Sequence, residues 1–279
     1  MTRPILRSLA AVAAAGLALS LAACAPAAST DEAASGYVTD GKLTIGTGEP
    51  AYYPWVIDDK PESGEGFESA IAYAVAEELG FAKEDVVWVR TTFDEAIAPG
   101  PKDFDFNLQQ FSITDERKQN VDFSSAYYET TQVVITTETS KAAGAKSIAD
   151  LKGFLIGAQT GTTSFDAIEQ QIQPTAGAQV FNTNDDAVLA LQNGTVDAIV
   201  LDLPSAFYAT GVQLDGGLII GQLPQPDGKS GDEFGLVLPK DSPLTAKVTA
   251  AVDALRESGK LAEIATTWLA DAGSAPVLK

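Results

Sequence analysis

YYETTQVVITT, residues 127–137, reads as one extended strand that carries the chain out of one set of strand and helix signals and into another. Before it, LTIGT (43–47) reads as a buried strand. GFESAIAYAVAEELG (66–80) sets Phe67, Ala70, Ile71, Ala74, Val75 and Leu79 at helical spacing, with Gly80 placed to stop the helix. VVWVR (86–90) is the next strand, TFDEAIA begins a short helix, and FDFNLQQF (104–111) alternates as a strand ending at Ser112.

After the long strand come a short helix at SIADLKG (147–153), a strand at FLIGAQ (154–159) and a tight turn into a helix at GTTSFDAIEQQI (161–172). AQVFNT, a helix through DDAVLALQNG and the strand VDAIVLD (196–202) complete this set. FGLVLPK (234–240) leads to C-terminal helices, the first beginning at Ser242 with Pro243 in its first turn. A second crossing near residues 229–235 returns the chain. The expected architecture is α/β with parallel strands, in two lobes joined by two crossover strands. Residues 37–131 and 235–279 form the first lobe and 132–234 the second, with a cleft between them.

Composition narrows the function. The chain has 38 acidic and 18 basic residues, no histidine and one cysteine. Histidine- or cysteine-based triads and typical zinc sites are excluded. A formal charge of −20 repels phosphate backbones and anionic lipid, so nucleic acid is a poor partner.

Residues 1–23 have the parts of a secretory signal peptide: Arg3 and Arg7, an apolar run, and a small-residue cleavage site. The following Cys24 is the single thiol, and LAAC resembles the bacterial lipobox, whose cysteine receives lipid. Residues 24–36, rich in Ala, Ser, Thr and Pro, read as a flexible tether between membrane and folded body. The expected location is extracytoplasmic, lipid-anchored to the cell membrane, and the lipid is the only membrane contact expected.

FSITDER (111–117) poses a choice between a surface helix start and a pocket for a carboxylate. GEGFESAIAYAVAEELG, TFDEAI, FSITDERKQNVDFSSAYY, GAQTGTTS and VDAIVLD, in this order, resemble the amino-acid-binding family of bacterial ABC-transporter solute-binding lipoproteins. SITDER followed by VDFS is the most specific element, and the resemblance covers nearly the whole body after the tether. It implies a type II periplasmic-binding-protein fold. It also implies a monomer that passes an amino acid, polar or cationic, to an ABC permease and its ATPase subunits, with no cofactor or metal and no catalysis. Two rivals remain: a cyclohexadienyl-dehydratase-like enzyme on the same fold, and a ligand-sensing receptor for a membrane partner.

The residues agree with a small zwitterion. The guanidinium of Arg117 can grip a carboxylate through two parallel hydrogen bonds, which lysine cannot. Ser112 stands at a strand's C-terminal end, where open α/β sheets place ligands, and Thr114 suits an N-cap. Thr162, Thr163 and Ser164 follow a glycine at a helix start whose amides suit an anion, although a plain capped helix reads the same way. Asp202 is either an N-cap or, as the resemblance implies, the partner of the ligand's ammonium. Tyr52 and Phe93 match ring-bearing positions that flank the ligand side chain, and Glu49 matches an acidic position, or Gly48 does after a one-residue shift. Gln109 and Gln110 stand where small residues are usual, and either contact the ligand or fill part of the pocket.

Overall fold

The computed structural model describes residues 36–225, 230–269 and 273–279. The expected leader (1–23), Cys24, all but the last residue of the tether (24–36), and residue 229 of the second crossing lie outside the described residues. No helix among the described residues is long and apolar enough to cross a membrane.

Two five-stranded sheets make the frame. The first contains β1 (Leu43–Gly48), β2 (Val86–Thr91), β3 (Phe106–Leu108) and β4 (Val121–Thr130). The second contains β5 (Gln132–Thr137), β6 (Ile156–Gln159), β7 (Gln179–Phe181), β8 (Ala198–Asp202) and β9 (Gly217–Gln222). β10 (Asp232–Pro239) returns to the first. Their orders are β2-β1-β3-β10-β4 and β7-β6-β8-β5-β9. In each, three parallel strands are followed by two bound antiparallel. Both sheets are therefore mixed, not parallel throughout as the alternation of elements suggests. The antiparallel inner strand in each case, β10 or β5, is one that enters from the opposite half.

The run 127–137 is not one strand. It breaks at Thr131 into β4 and β5, which belong to different sheets. Side chains in β5 alternate between two cores: Val133 and Ile135 face one, and Val134 faces the other. Such two-sided burial explains a continuous apolar run.

Eight α-helices cover these sheets among the described residues: α1 (Phe67–Glu78), α2 (Phe93–Ile97), α3 (Ile148–Leu151), α4 (Thr163–Ala167), α5 (Asn184–Gln192), α6 (Leu203–Tyr208), α7 (Thr245–Glu257) and α8 (Lys260–Leu269). α1, α7 and α8 seal one face of the first sheet, with Phe67, Ile71, Leu236 and Val252 wholly buried. Burying each of these side chains contributes about 1.5–3 kcal/mol before entropy is counted. α7 starts three residues later than Ser242 suggests, although Ser242 does receive the Leu244 N–H at 3.2 Å.

The chain end departs from the expected division. Residues 275–279 do not stay with the first half. Val277 bridges to Gln222 of β9, the Gln222 and Leu278 amides complete the pairing at 2.8 Å each, and Leu278 is buried in the second half's core. An edge strand with unpaired amides supplies the reason: the tail covers it.

Candidate functional site

A cleft of about 300 Å³ opens between the two sheets. Glu49, Tyr52, Phe93, Gln110, Ser112 and Arg117 line it from the first half, and Thr162, Thr163, Ser164 and Asp202 from the second. All ten residues singled out in the sequence therefore meet in one place, but their side chains are not equally free.

Arg117 is fixed by the local chain. β3 ends three residues earlier than the alternation predicts, because Gln110 takes a left-handed φ of 54° while its N–H donates to Glu68 Oε1 at 2.7 Å. The chain then turns, and Thr114 Oγ1 accepts the Arg117 N–H at 3.1 Å, the capping role expected of it. The Arg117 side chain is 8% exposed. One Nη donates to the Ser112 carbonyl at 2.7 Å and the other to the Gly161 carbonyl at 2.8 Å. Those two bonds tie it to both halves and leave the rest of a five-donor fork for a ligand. Burial pulls its pKa down, opposed by Asp166, Asp202, Asp232 and Glu116.

Gly161 is required where it stands. Its φ is +69°, and a Cβ there would lie 2.7 Å from Asp94 Oδ1 across the cleft. The hydroxyls after it have separate tasks. Thr162 caps α4, accepting from the Phe165 N–H at 3.2 Å and donating to the Gln159 carbonyl at 2.7 Å, so its hydroxyl is already occupied. Ser164 is buried and donates to Gln132 Oε1 at 2.5 Å. Only Thr163 faces the opposite wall, 3.1 Å from Ser112 Oγ.

Asp202 stands at the N-cap position of α6, yet its side chain makes no capping hydrogen bond. Instead its Oδ1 accepts from Gln132 Nε2 at 2.8 Å. Burial pushes its pKa up to about 7, with repulsion from Asp232 and Glu68 adding and the Gln132 hydrogen bond and Arg117 opposing. A cation brought close to such a carboxylate favours its charged form.

Three of the cleft residues also have partners within the protein. The Gln110 amide is held by Glu68, through its Nε2 as well as its backbone, rather than projecting freely. The Phe93 ring lies 5.2 Å from the Arg117 guanidinium and 4.7 Å from Phe111, so the protein's own cation takes part of its π surface. Tyr52 reaches the start of α5, where Thr183, Asn184 and Asp185 surround its hydroxyl; burial and then Asp185 push its pKa up to about 12. Glu49 is exposed at the rim, and Gly48 beside it also lines the cleft. Gln109 is buried, its amide donating to Thr91 Oγ1 at 2.7 Å and Asn107 Oδ1 at 3.0 Å.

Sequence reasoning missed three residues. Glu68 is 2% exposed, accepts from Tyr127 and Gln110, and has its pKa pushed up to about 7 by burial. Its spacing to Ala72 and Val75 on the buried face of α1 was a usable signal. Gln132 is 4% exposed and its amide links both crossings, and a polar residue opening the apolar run QVVITT also signalled it. Asp232 had no signal in the sequence.

The two halves touch beyond the cleft. Trp55 Nε1 donates to Ser205 Oγ at 3.0 Å, and the Tyr53 and Tyr208 rings lie 4.5 Å apart.

Comparison with known proteins adds an independent line. Residues 43–271 match the family described as bacterial extracellular solute-binding proteins, family 3. The L-arginine-binding protein of Pseudomonas aeruginosa is 34% identical over 236 residues, covering 82% of this chain and 88% of that protein. Among solved structures, the arginine-, lysine-, histidine-binding protein ArtJ from Geobacillus stearothermophilus superposes with a TM-score of 0.69 at 30% identity, covering 82% of this chain and 95% of the other. An ancestral amino-acid-binding protein, described as a precursor of cyclohexadienyl dehydratase, gives 0.68 at 29% identity, with 82% and 95% covered.

Proposed function

The chain belongs to family 3 of the bacterial extracellular solute-binding proteins, and from that membership we propose that it captures a single amino acid for an ABC importer. One observation carries this reading: Arg117 on one wall and Asp202 on the other present opposite charges to one small cleft, with Ser112 and Thr163 between the walls. The ligand carboxylate meets the free donors of Arg117, and its ammonium meets Asp202. Its side chain runs between Tyr52 and Phe93 toward Glu49 and Asp94, which suits a cationic or polar group.

The two halves act as lobes, 37–131 with 235–274, and 132–234 with 275–279. A ligand touching both favours the closed arrangement, because either wall alone offers half the contacts. A micromolar dissociation constant, about −8 kcal/mol, is the expected scale. The protein works as a monomer outside the cytoplasm, delivering to a permease and its ATPase subunits. Removal of residues 1–23 and lipidation of Cys24 would hold it at the membrane.

We read it as a binding protein and not an enzyme, since Arg117 and Asp202 match the two charges of a zwitterion, and a carboxylate that neutralises an ammonium is not free to act as acid. A thermal-shift screen of the purified protein against the common amino acids tests the reading. Stabilisation by arginine, lysine, histidine or glutamine is expected. Stabilisation by none, or turnover of cyclohexadienyl acids, would overturn it.

A further inference from the structure

Behind the ammonium position lies a second carboxylate. Gln132 Nε2 is 2.8 Å from Asp202 Oδ1, 2.8 Å from Asp232 Oδ2 and 3.2 Å from Thr163 Oγ1. An amide nitrogen carries two hydrogens, so it cannot serve all three acceptors at once. Its oxygen is already engaged by Ser164. Gln132 and Asp202 are directly paired in the β5–β8 register, and Asp232 opens the returning strand β10 opposite Thr130. Both crossings between the halves thus converge on one buried amide with two carboxylates hung from it.

The groups facing Asp202 come from every neighbouring element. Asp232 from β10, Glu68 from α1 and the Tyr127 and Tyr128 phenols from β4 all interact with it, and the charge of Arg117 opposes the two carboxylates. Arg117 is itself bound to two carbonyl groups. Two half-buried carboxylates held on one neutral donor repel each other, and the charge of Asp232 disfavours ionisation of Asp202.

Building on the amino-acid-binding reading, we propose that the site exchanges a proton for its ligand's ammonium. Burial in the closed cleft, with the negative charge of Asp232 held close by their shared bond to Gln132, keeps Asp202 protonated while the cleft is empty, and ligand capture expels that proton. The Asp202 O–H bond breaks, the proton passes to bulk buffer, and the carboxylate so formed accepts the N–H bonds of the ammonium. Nothing is oxidised or reduced. Asp232 is a positioning residue here, biasing the charge of Asp202 without touching the ligand, and Gln132 holds the two carboxylates side by side. The upward shift of Asp202 to about 7 places the exchange near neutrality.

The wild-type protein without ligand gives the first test. Carbon-13 titration of side-chain carboxyl groups, with Asp202 assigned through Asp202→Asn, should show it titrating near pH 7, and Asp232→Asn should lower that midpoint. Calorimetry with L-arginine in phosphate and in Tris then counts protons. About half a proton should leave at pH 7, and affinity should be about tenfold weaker at pH 6 than at pH 8. In Asp232→Asn the proton count should fall and the pH profile flatten, an effect a merely structural role would not produce. N-acetyl-L-arginine, which lacks the ammonium, should release none. Asp202 titrating in the ordinary carboxylate range, or moving identically with and without Asp232, overturns the proposal. Arginine bound with no proton released overturns the exchange while sparing the binding reading. Failure of every amino acid to bind sinks the binding reading and the exchange built on it, and the titration separates that from a fault in the carboxylate pair.

Discussion

The two walls of the cleft are built by opposite strategies. The first wall presents large groups, Arg117, Phe93 and Tyr52, and the arginine is oriented by neighbours close in the chain: Ser112 accepts from its side chain and Thr114 from its backbone. The second wall presents small hydroxyls and one carboxylate. Asp202 is oriented by Gln132, 70 residues away in sequence. A wall set locally keeps its shape when the halves separate. A wall that shares an amide with Asp232 of β10 senses whether they are together. On the proposed function, the first is a preformed receptor for an anion, and the second makes closure conditional on a cation.

Substitutions can break this contrast. The largest effect is expected from Arg117→Ala. Removing a buried charged contact costs about 2–5 kcal/mol, so affinity for the amino acid that the screen identifies should fall thirtyfold or more by calorimetry. Arg117 also holds the Gly161 carbonyl, so the same variant should populate more open molecules in solution scattering.

Asp202→Asn comes next. Loss of a charge-assisted hydrogen bond, about 1.5–3 kcal/mol, should weaken binding about tenfold to a hundredfold. The empty protein should behave in the opposite sense. A carboxyl whose folded pKa is raised to about 7 binds a proton that the unfolded chain has already lost above the usual carboxylate range. Its contribution therefore makes the fold less stable as pH rises from about 4 to about 7. Asp202→Asn should melt higher than wild type at pH 8, with the gap closing toward pH 5. Glu68, raised to about 7 as well, adds a decline of the same sign to both proteins. A variant that melts lower at pH 8 would show that the second wall carries no such tension.

The smallest effect belongs to Trp55→Phe, which deletes the bond to Ser205 and leaves the ring in the core. One neutral hydrogen bond between the halves is worth about 0.5–1.5 kcal/mol, so affinity should drop no more than about tenfold. A larger loss would mean that contacts outside the cleft, not the ligand, govern closure.

Legibility in the sequence followed the same division. Arg117, Ser112 and Thr114 lie within six residues, but their spacing fits a surface helix start as well, and the accompanying motifs turned the reading toward the first wall of a pocket. The GTT turn and the strand-ending Asp202 were readable as positions, but not as tasks. Nothing local says that the Thr162 hydroxyl goes to a helix cap, or that the Gln110 amide goes to Glu68. The break at Thr131 was hidden because the chain is extended on both sides of it. Only sheet membership separates them. The tail at 275–279 was hidden for a related reason: its partner is the edge of β9, and an unpaired edge leaves no mark in composition.

Alternating strand and helix periodicity, the absence of histidine, and the arginine placed five residues after Ser112 were properties of the sequence alone, because each is set by residue identities along the chain. The ionisation of Asp202, its sharing of one amide with Asp232, and the Gly161 approach to Asp94 were decided only by tertiary structure. Burial and through-space charge set them, and both depend on which distant segments meet once the two sheets are in place.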